Sequence, residues 1–173
     1  MSNQWVEGYT LEEVETSHKD YGWIVSKVKK SGGTFNIKKV FRIKNSSTWN
    51  AYQMTREAIF YEMGRKRVPE QRLFHGSPWA MQIAEQGFKI EYARSSGACG
   101  AGIYFSSKSS ESYQYSCKNG SQTNVYLLVC KVALGVTVSG NRLEAGTHSV
   151  ISGTKHVIYN ETQAYPSYLI QII

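Results

Sequence analysis

Apolar positions follow two different rhythms along this chain. Tyr21, Ile24, Val25 and Val28 have the i, i+3, i+4, i+7 spacing that lines up one stripe of a helix, and Gly32-Gly33 supplies a stop. Thr34–Lys44 reads as a strand, alternating at Phe35 and Ile37 before the pattern slips near Val40. Ser47 is placed to cap a second helix that turns Trp49, Tyr52, Ile59 and Met63 toward the core and ends at Gly64. A short apolar stretch, Leu73-Phe74, stops at His75-Gly76. Ser77 and Pro78 then stand in the order of an N-cap and a first-turn proline, which predicts a helix to about Gln86 closing on Gly87.

Beyond that helix the rhythm becomes extended. A glycine-rich loop, Ser95–Gly102, leads into Ile103-Tyr104-Phe105, and a hydroxyl-rich segment, Ser106–Ser116, follows. Asn124–Leu134, Lys155–Asn160 and Pro166–Ile173 are apolar, β-branched runs that read as buried strands. Helices crowd the first half and strands the second, a segregation that predicts an α+β fold with an antiparallel sheet. No strand–GxGxxG–helix signature occurs, so a dinucleotide would not bind in the Rossmann manner. Repeats, low-complexity tracts and Pro/Gly-rich linkers are lacking, and one domain over residues 1–173 is the expected organisation.

Composition changes this picture in three places. Aromatic residues reach 13%, with 12 tyrosines, side chains suited to a pocket that is apolar on its walls and polar at its tips. The formal charge of +7 favours an acidic partner, such as a nucleotide phosphate, an acidic protein surface or nucleic acid. Part of the excess lies at Lys27, Lys29, Lys30, Lys38, Lys39, Arg42 and Lys44, and part at Arg65, Lys66 and Arg67. No zinc finger, recognition helix or RNP-type motif accompanies it, which makes nucleic acid the weaker expectation. Cys99, Cys117 and Cys130 form no close pair, so neither a disulfide framework nor a metal site is expected. With no signal sequence and no apolar run of bilayer length, an intracellular protein without a membrane partner is the default.

Two motifs carry candidate chemistry. Phe74-His75-Gly76-Ser77 ends an apolar strand with a polar tetrad whose glycine permits close backbone approach by a ligand amide. Gly100-Ala101-Gly102-Ile103-Tyr104-Phe105 sets a tight loop ahead of a strand that presents Tyr104. Ser112 and Tyr115 follow, Tyr115 as an aromatic lid for a planar ring. Taken with Arg72-Leu73, Val157-Ile158-Tyr159 and Gln163–Ile170, this order resembles the catalytic domain of the poly(ADP-ribose) polymerase family. That family belongs to the diphtheria-toxin-like class of ADP-ribosyltransferases, and the chain looks most like tankyrase and the mono-ADP-ribosylating members.

The resemblance implies an ADP-ribosyltransferase fold, in which antiparallel sheets with flanking helices form a split NAD-binding cleft. It implies NAD as co-substrate, no metal, and an acceptor that is a protein or, less in keeping with the motifs, a nucleic-acid end. Gly76 would hold the nicotinamide carboxamide through its backbone, and Ser112 would add a hydroxyl. Tyr104 and Tyr115 would sandwich the ring, His75 would bind the adenine-side ribose, and Ser77 would lie near the adenosine. Poly-ADP-ribosylating members carry a glutamate two residues before the Val-Ile-Tyr strand, and here that position is Lys155. An ammonium disfavours the positive charge that develops when the nicotinamide–ribose bond breaks, so the expected product is a single ADP-ribose unit rather than a chain. A silent NAD- or partner-binding module is the alternative. Glu161 and Glu144 are the nearest acids in sequence, and the cysteine–histidine zinc loop of tankyrase has no counterpart.

Overall fold

The computed structural model describes residues 8–117 and 125–173. Helix α1, Lys19–Lys30, buries Ile24 and Val28 from the predicted stripe, and the chain leaves it through Ser31 and a left-handed Gly32. Helix α2, Ser46–Glu62, buries Tyr52 and Ile59 and ends before Gly64, at φ +74°. Its cap is Asn45 rather than Ser47, because the Asn45 side chain accepts from the Thr48 amide while Ser47 is exposed. Helix α3, Ala80–Gln86, closes on Gly87 as expected but begins later than Ser77-Pro78 predicts. The Ser77 hydroxyl accepts instead from the Trp79 amide at 3.1 Å, capping a turn that leads into the helix. Helix α4, Ser109–Tyr113, is a short turn within the hydroxyl-rich segment.

The strands are β1 (Tyr9–Glu13), β2 (Ile37–Asn45), β3 (Glu70–Gly76), β4 (Ile103–Ser106), β5 (Val125–Ala133), β6 (Thr137–Ser139), β7 (Ser149–Ser152), β8 (Lys155–Ile158) and β9 (Ala164–Ile172). Asn124, at the head of the run read as β5, lies outside the described residues. The strands are ordered β1-β2-β9-β5-β3-β4-β8-β7-β6, and every pairing is antiparallel except β6 with β7. The slip in alternation near Val40 corresponds to a register shift between Ile37 and Lys39, where β2 meets β9.

Period-two alternation sorts the side chains onto two faces. On β5, Leu128, Cys130 and Val132 pack with Ala80 and Ala84 of α3, whereas Val125, Leu127 and Val129 pack with Ile24 and Val28 of α1. Both faces of β5 are therefore buried, which accounts for its unbroken apolar run. On β3 the same rule puts Leu73 on the α3 face and Phe74 on the α1 face, and so turns His75 back toward α3. Strands β3 and β4 share a single partnered position, Phe74 with Ser106, while β3 with β5 and β4 with β8 pair along their lengths. Past that position the sheet splits, at His75-Gly76.

Candidate active site

A cavity of about 1060 Å³ opens at the split. It is lined by His75, Gly76, Ser77, Tyr104, Ser112, Tyr115 and Lys155, so the residues singled out from four separate sequence segments meet at one place. Its size is at the upper end of the range for small-molecule pockets, large enough for a ligand with several rings.

His75 is fixed by its surroundings. Its Nδ1 lies 2.7 Å from the Tyr104 carbonyl, and a carbonyl only accepts, so Nδ1 carries the hydrogen and Nε2 keeps a free lone pair. Phe88 packs edge-on against the imidazole at 4.9 Å between centroids and Phe105 lies tilted at 5.4 Å. Burial among these rings pushes the His75 pKa down to about 4, so the ring is neutral near pH 7. The one hydrogen bond therefore sets the tautomer of His75 and ties it to the strand that carries Tyr104.

The Tyr104 phenol is held by the glycine-rich loop. Its hydroxyl donates to the Gly100 carbonyl at 2.8 Å and accepts from the Cys99 amide at 2.8 Å. A side chain on Gly97 would collide with that hydroxyl, so the loop closes around the ring only with glycine there. Gly100, at φ +74°, makes the turn. Tyr115 is different: it stands at the rim, 61% exposed. Trp79 and Tyr92 add further exposed aromatic surface to the cavity edge.

Gly76 owes its identity to another part of the protein. A Cβ at Gly76 would overlap the Ser112 carbonyl, so the close approach predicted for a ligand amide is made on that side by α4 itself. Helix α4 is pinned to the end of α1. The Ser109 hydroxyl donates to the Val28 carbonyl at 2.8 Å, and the Ser31 hydroxyl accepts from the Ser109 amide at 3.0 Å. These bonds bring Ser112 against the end of β3.

Lys155 opens β8 and pairs with Ser106 of β4 and Ser152 of β7, at the edge of the cavity. Neither Glu161 nor Glu144 compensates for it. Glu161 accepts from the Ile90 amide at 2.8 Å, and the exposed backbone of Glu144 is turned to Thr147; neither lines the cavity. Among the described residues the acid that lines it is Glu111, which the sequence reading passed over. One carboxylate oxygen accepts from Ser106 at 2.6 Å, and both oxygens lie within 2.8 Å of the Thr154 hydroxyl. Those hydroxyls, then the nearby Lys108 and Lys155 charges, hold the Glu111 carboxyl below its usual range. Phe88, which shapes the His75 environment, was also passed over. Its position directly after Gly87 was the available signal.

The poly(ADP-ribose) polymerase catalytic domain matches residues 18–156 of the chain. The chain belongs to this family. It is 26% identical over 182 residues to the human protein mono-ADP-ribosyltransferase PARP12, an alignment covering 95% of the chain and 26% of that protein. It is 26% identical over 187 residues to human protein mono-ADP-ribosyltransferase PARP14, covering 95% of the chain and 10% of that protein. A probable poly [ADP-ribose] polymerase of Dictyostelium discoideum is 28% identical over 150 residues, covering 79% of the chain and 44% of that protein. The chain thus spans less than half the length of each of these relatives. Within the catalytic domain of the polymerase family, the α+β fold and the large, mostly antiparallel sheet with flanking helices are the expected architecture. Among the described residues no group of three or more His, Cys, Asp and Glu side chains is placed to hold a metal, and no helix is long and apolar enough to cross a membrane.

Proposed function

We propose that this domain transfers single ADP-ribose units from NAD to a protein acceptor, releasing nicotinamide. The observation that carries the reading is the convergence of His75, Gly76, Ser77, Tyr104, Ser112 and Tyr115 on one cavity in a member of the polymerase family. The chemistry of the lining fits NAD. Gly76 and Ser112 offer backbone and hydroxyl groups to a carboxamide, and Tyr104 offers a fixed aromatic wall with Tyr115 as the outer one. The Nε2 lone pair of His75 accepts a hydrogen bond from a ribose hydroxyl, and Ser77 lies toward the adenosine. Lys89 and Arg94 add positive charge to the lining, which suits a pyrophosphate. Holding the amide and ring fixes the leaving group in position, and orientation of that kind lowers the barrier by restricting motion before the bond breaks.

Incubation with NAD labelled in the adenosine moiety, across several protein acceptors, tests this. Transfer of one unit per site with equimolar nicotinamide is expected. Absence of both transfer and nicotinamide release, in protein that binds NAD, overturns it in favour of a silent NAD-binding module, the reading that Lys155 at the cavity edge favours. Transfer to an oligonucleotide end and to no protein would replace the acceptor class while leaving the chemistry in place.

A further inference from the structure

Lys155 leaves the cavity without the glutamate expected from the family resemblance, yet a carboxylate stands beside it. Glu111 is the residue before Ser112 on α4, and its side chain turns to the segment around Lys155. Its two partners flank that position: Thr154 precedes Lys155 in sequence, and Ser106 is the residue paired with Lys155 across β4 and β8. The Ser106 hydroxyl also accepts from the Lys108 amide at 3.0 Å, which ties the start of the α4 turn to the same point. The carboxylate is thus held from two sides at the cavity wall. Two hydroxyl donors leave further lone pairs on a group with about four acceptor sites.

We infer that Glu111, approaching from α4, supplies the carboxylate that binds the nicotinamide-side ribose and opposes the positive charge developing at its anomeric carbon. This rests on the reading of the cavity as an NAD site. In the step, the carbon–nitrogen bond to nicotinamide breaks and its electron pair stays with the nicotinamide ring, neutralising the pyridinium. An acceptor oxygen supplies the pair for the new carbon–oxygen bond. Where the acceptor is a hydroxyl or water, its proton passes to the Glu111 carboxylate and on to solvent. Nothing is oxidised or reduced. The Ser106 and Thr154 hydroxyls hold the Glu111 carboxylate in place, and Lys155 lies at the edge of the same cavity.

The test measures NAD binding by thermal shift, and nicotinamide release under saturating NAD, in the wild-type protein, in Glu111→Gln, and in Glu111→Gln combined with Lys155→Glu. Glutamine preserves size and one acceptor oxygen, and retained NAD binding reports that the variant is folded. The expected result is a fall in kcat of about 100-fold or more for Glu111→Gln, with KM changed less than about threefold. The double variant, with a carboxylate returned to the opposite side of the wall, is expected to recover at least about tenfold of that loss. Lys155→Glu alone is measured beside them: a gain clearly smaller than in the Glu111→Gln background is expected, and an equal gain in both backgrounds overturns the inference. Unchanged kcat in Glu111→Gln overturns the inference, and so does nicotinamide release undetectable in NAD-bound wild type. Failure of the wild-type protein to bind NAD overturns instead the reading on which it rests.

Discussion

His75 and Gly76 show how much one side chain, or its absence, sets at this site. The Nδ1 hydrogen of His75 is committed to the Tyr104 carbonyl, and burial keeps the ring neutral with a pKa of about 4. Because that value lies below the roughly 6.5 of a histidine in an unfolded chain, the unfolded state takes up the proton first as pH falls. Stability from this residue is complete above about pH 6.5 and drains away as pH drops toward about 4. Urea unfolding at pH 7 and pH 5 is expected to differ by roughly 1–2 kcal/mol from this source, a share that disappears in His75→Gln. His156, buried with an unpartnered Nδ1 and likewise lowered by burial, leaves a smaller slope of the same sign in that variant. Gly76→Ala is expected to cost about 1–3 kcal/mol in the same assay, because its Cβ would overlap a backbone carbonyl that α4 cannot withdraw without breaking its bonds to α1.

At the scale of elements, Asn45 joins more than it caps. Its side-chain oxygen accepts from Thr48 at the start of α2, and its amide donates to the Ala84 and Glu85 carbonyls at the end of α3, at 3.2 and 2.7 Å. Asn45→Ala is therefore expected to cost about 2–3 kcal/mol, a lost cap plus buried carbonyls left unpaired, whereas Ser47→Ala should stay within about 0.5 kcal/mol. Chemical denaturation of the two variants decides between the capping residues. Local pattern pointed to Ser47 because serine before a helical stripe is a common start. What selects Asn45 is a contact with α3, distant in sequence. Helix α1 was legible because one-sided burial gives its residues a helical period, the end of α3 because Gly87 marks it, and β5 and β9 because burial on both faces leaves their runs apolar. Strand β1 was not: only Tyr9 and Leu11 face inward, and pairing with β2 on one side alone makes it a strand. The short β6 and β7 likewise owe their shape to neighbours.

Across the whole molecule, the site lies where two parts of a sheet nearly separate. On one side are β1, β2, β9, β5 and β3; on the other are β4, β8, β7 and β6; the Phe74–Ser106 position is their single partnered link. His75, Gly76 and Ser77 belong to the first side, and Tyr104 and Lys155 to the second. Their convergence was implied by the family resemblance of the motifs, since no local period brings the two sides together. Glu111 was not readable, since its meaning comes from Ser106 and Thr154, which only β4–β8 pairing brings together. A ligand spanning the cavity adds contacts between parts that the sheet itself joins weakly. At about 100 times its dissociation constant, NAD or a nicotinamide mimic should add about 2.7 kcal/mol to unfolding stability, which for a domain of this size raises Tm by about 5–11 °C. The two ligands separate at the level of hydrogen exchange. If Tyr104 and Gly76 hold the nicotinamide and Ser77 faces the adenosine, as proposed, both ligands should slow exchange at the Tyr104 and Gly76 amides, and NAD alone should also protect Ser77 and the start of α3. Protection confined to one side of the split, with NAD bound, would show that the ligand occupies half of the cavity and that the two parts of the sheet are not joined through it.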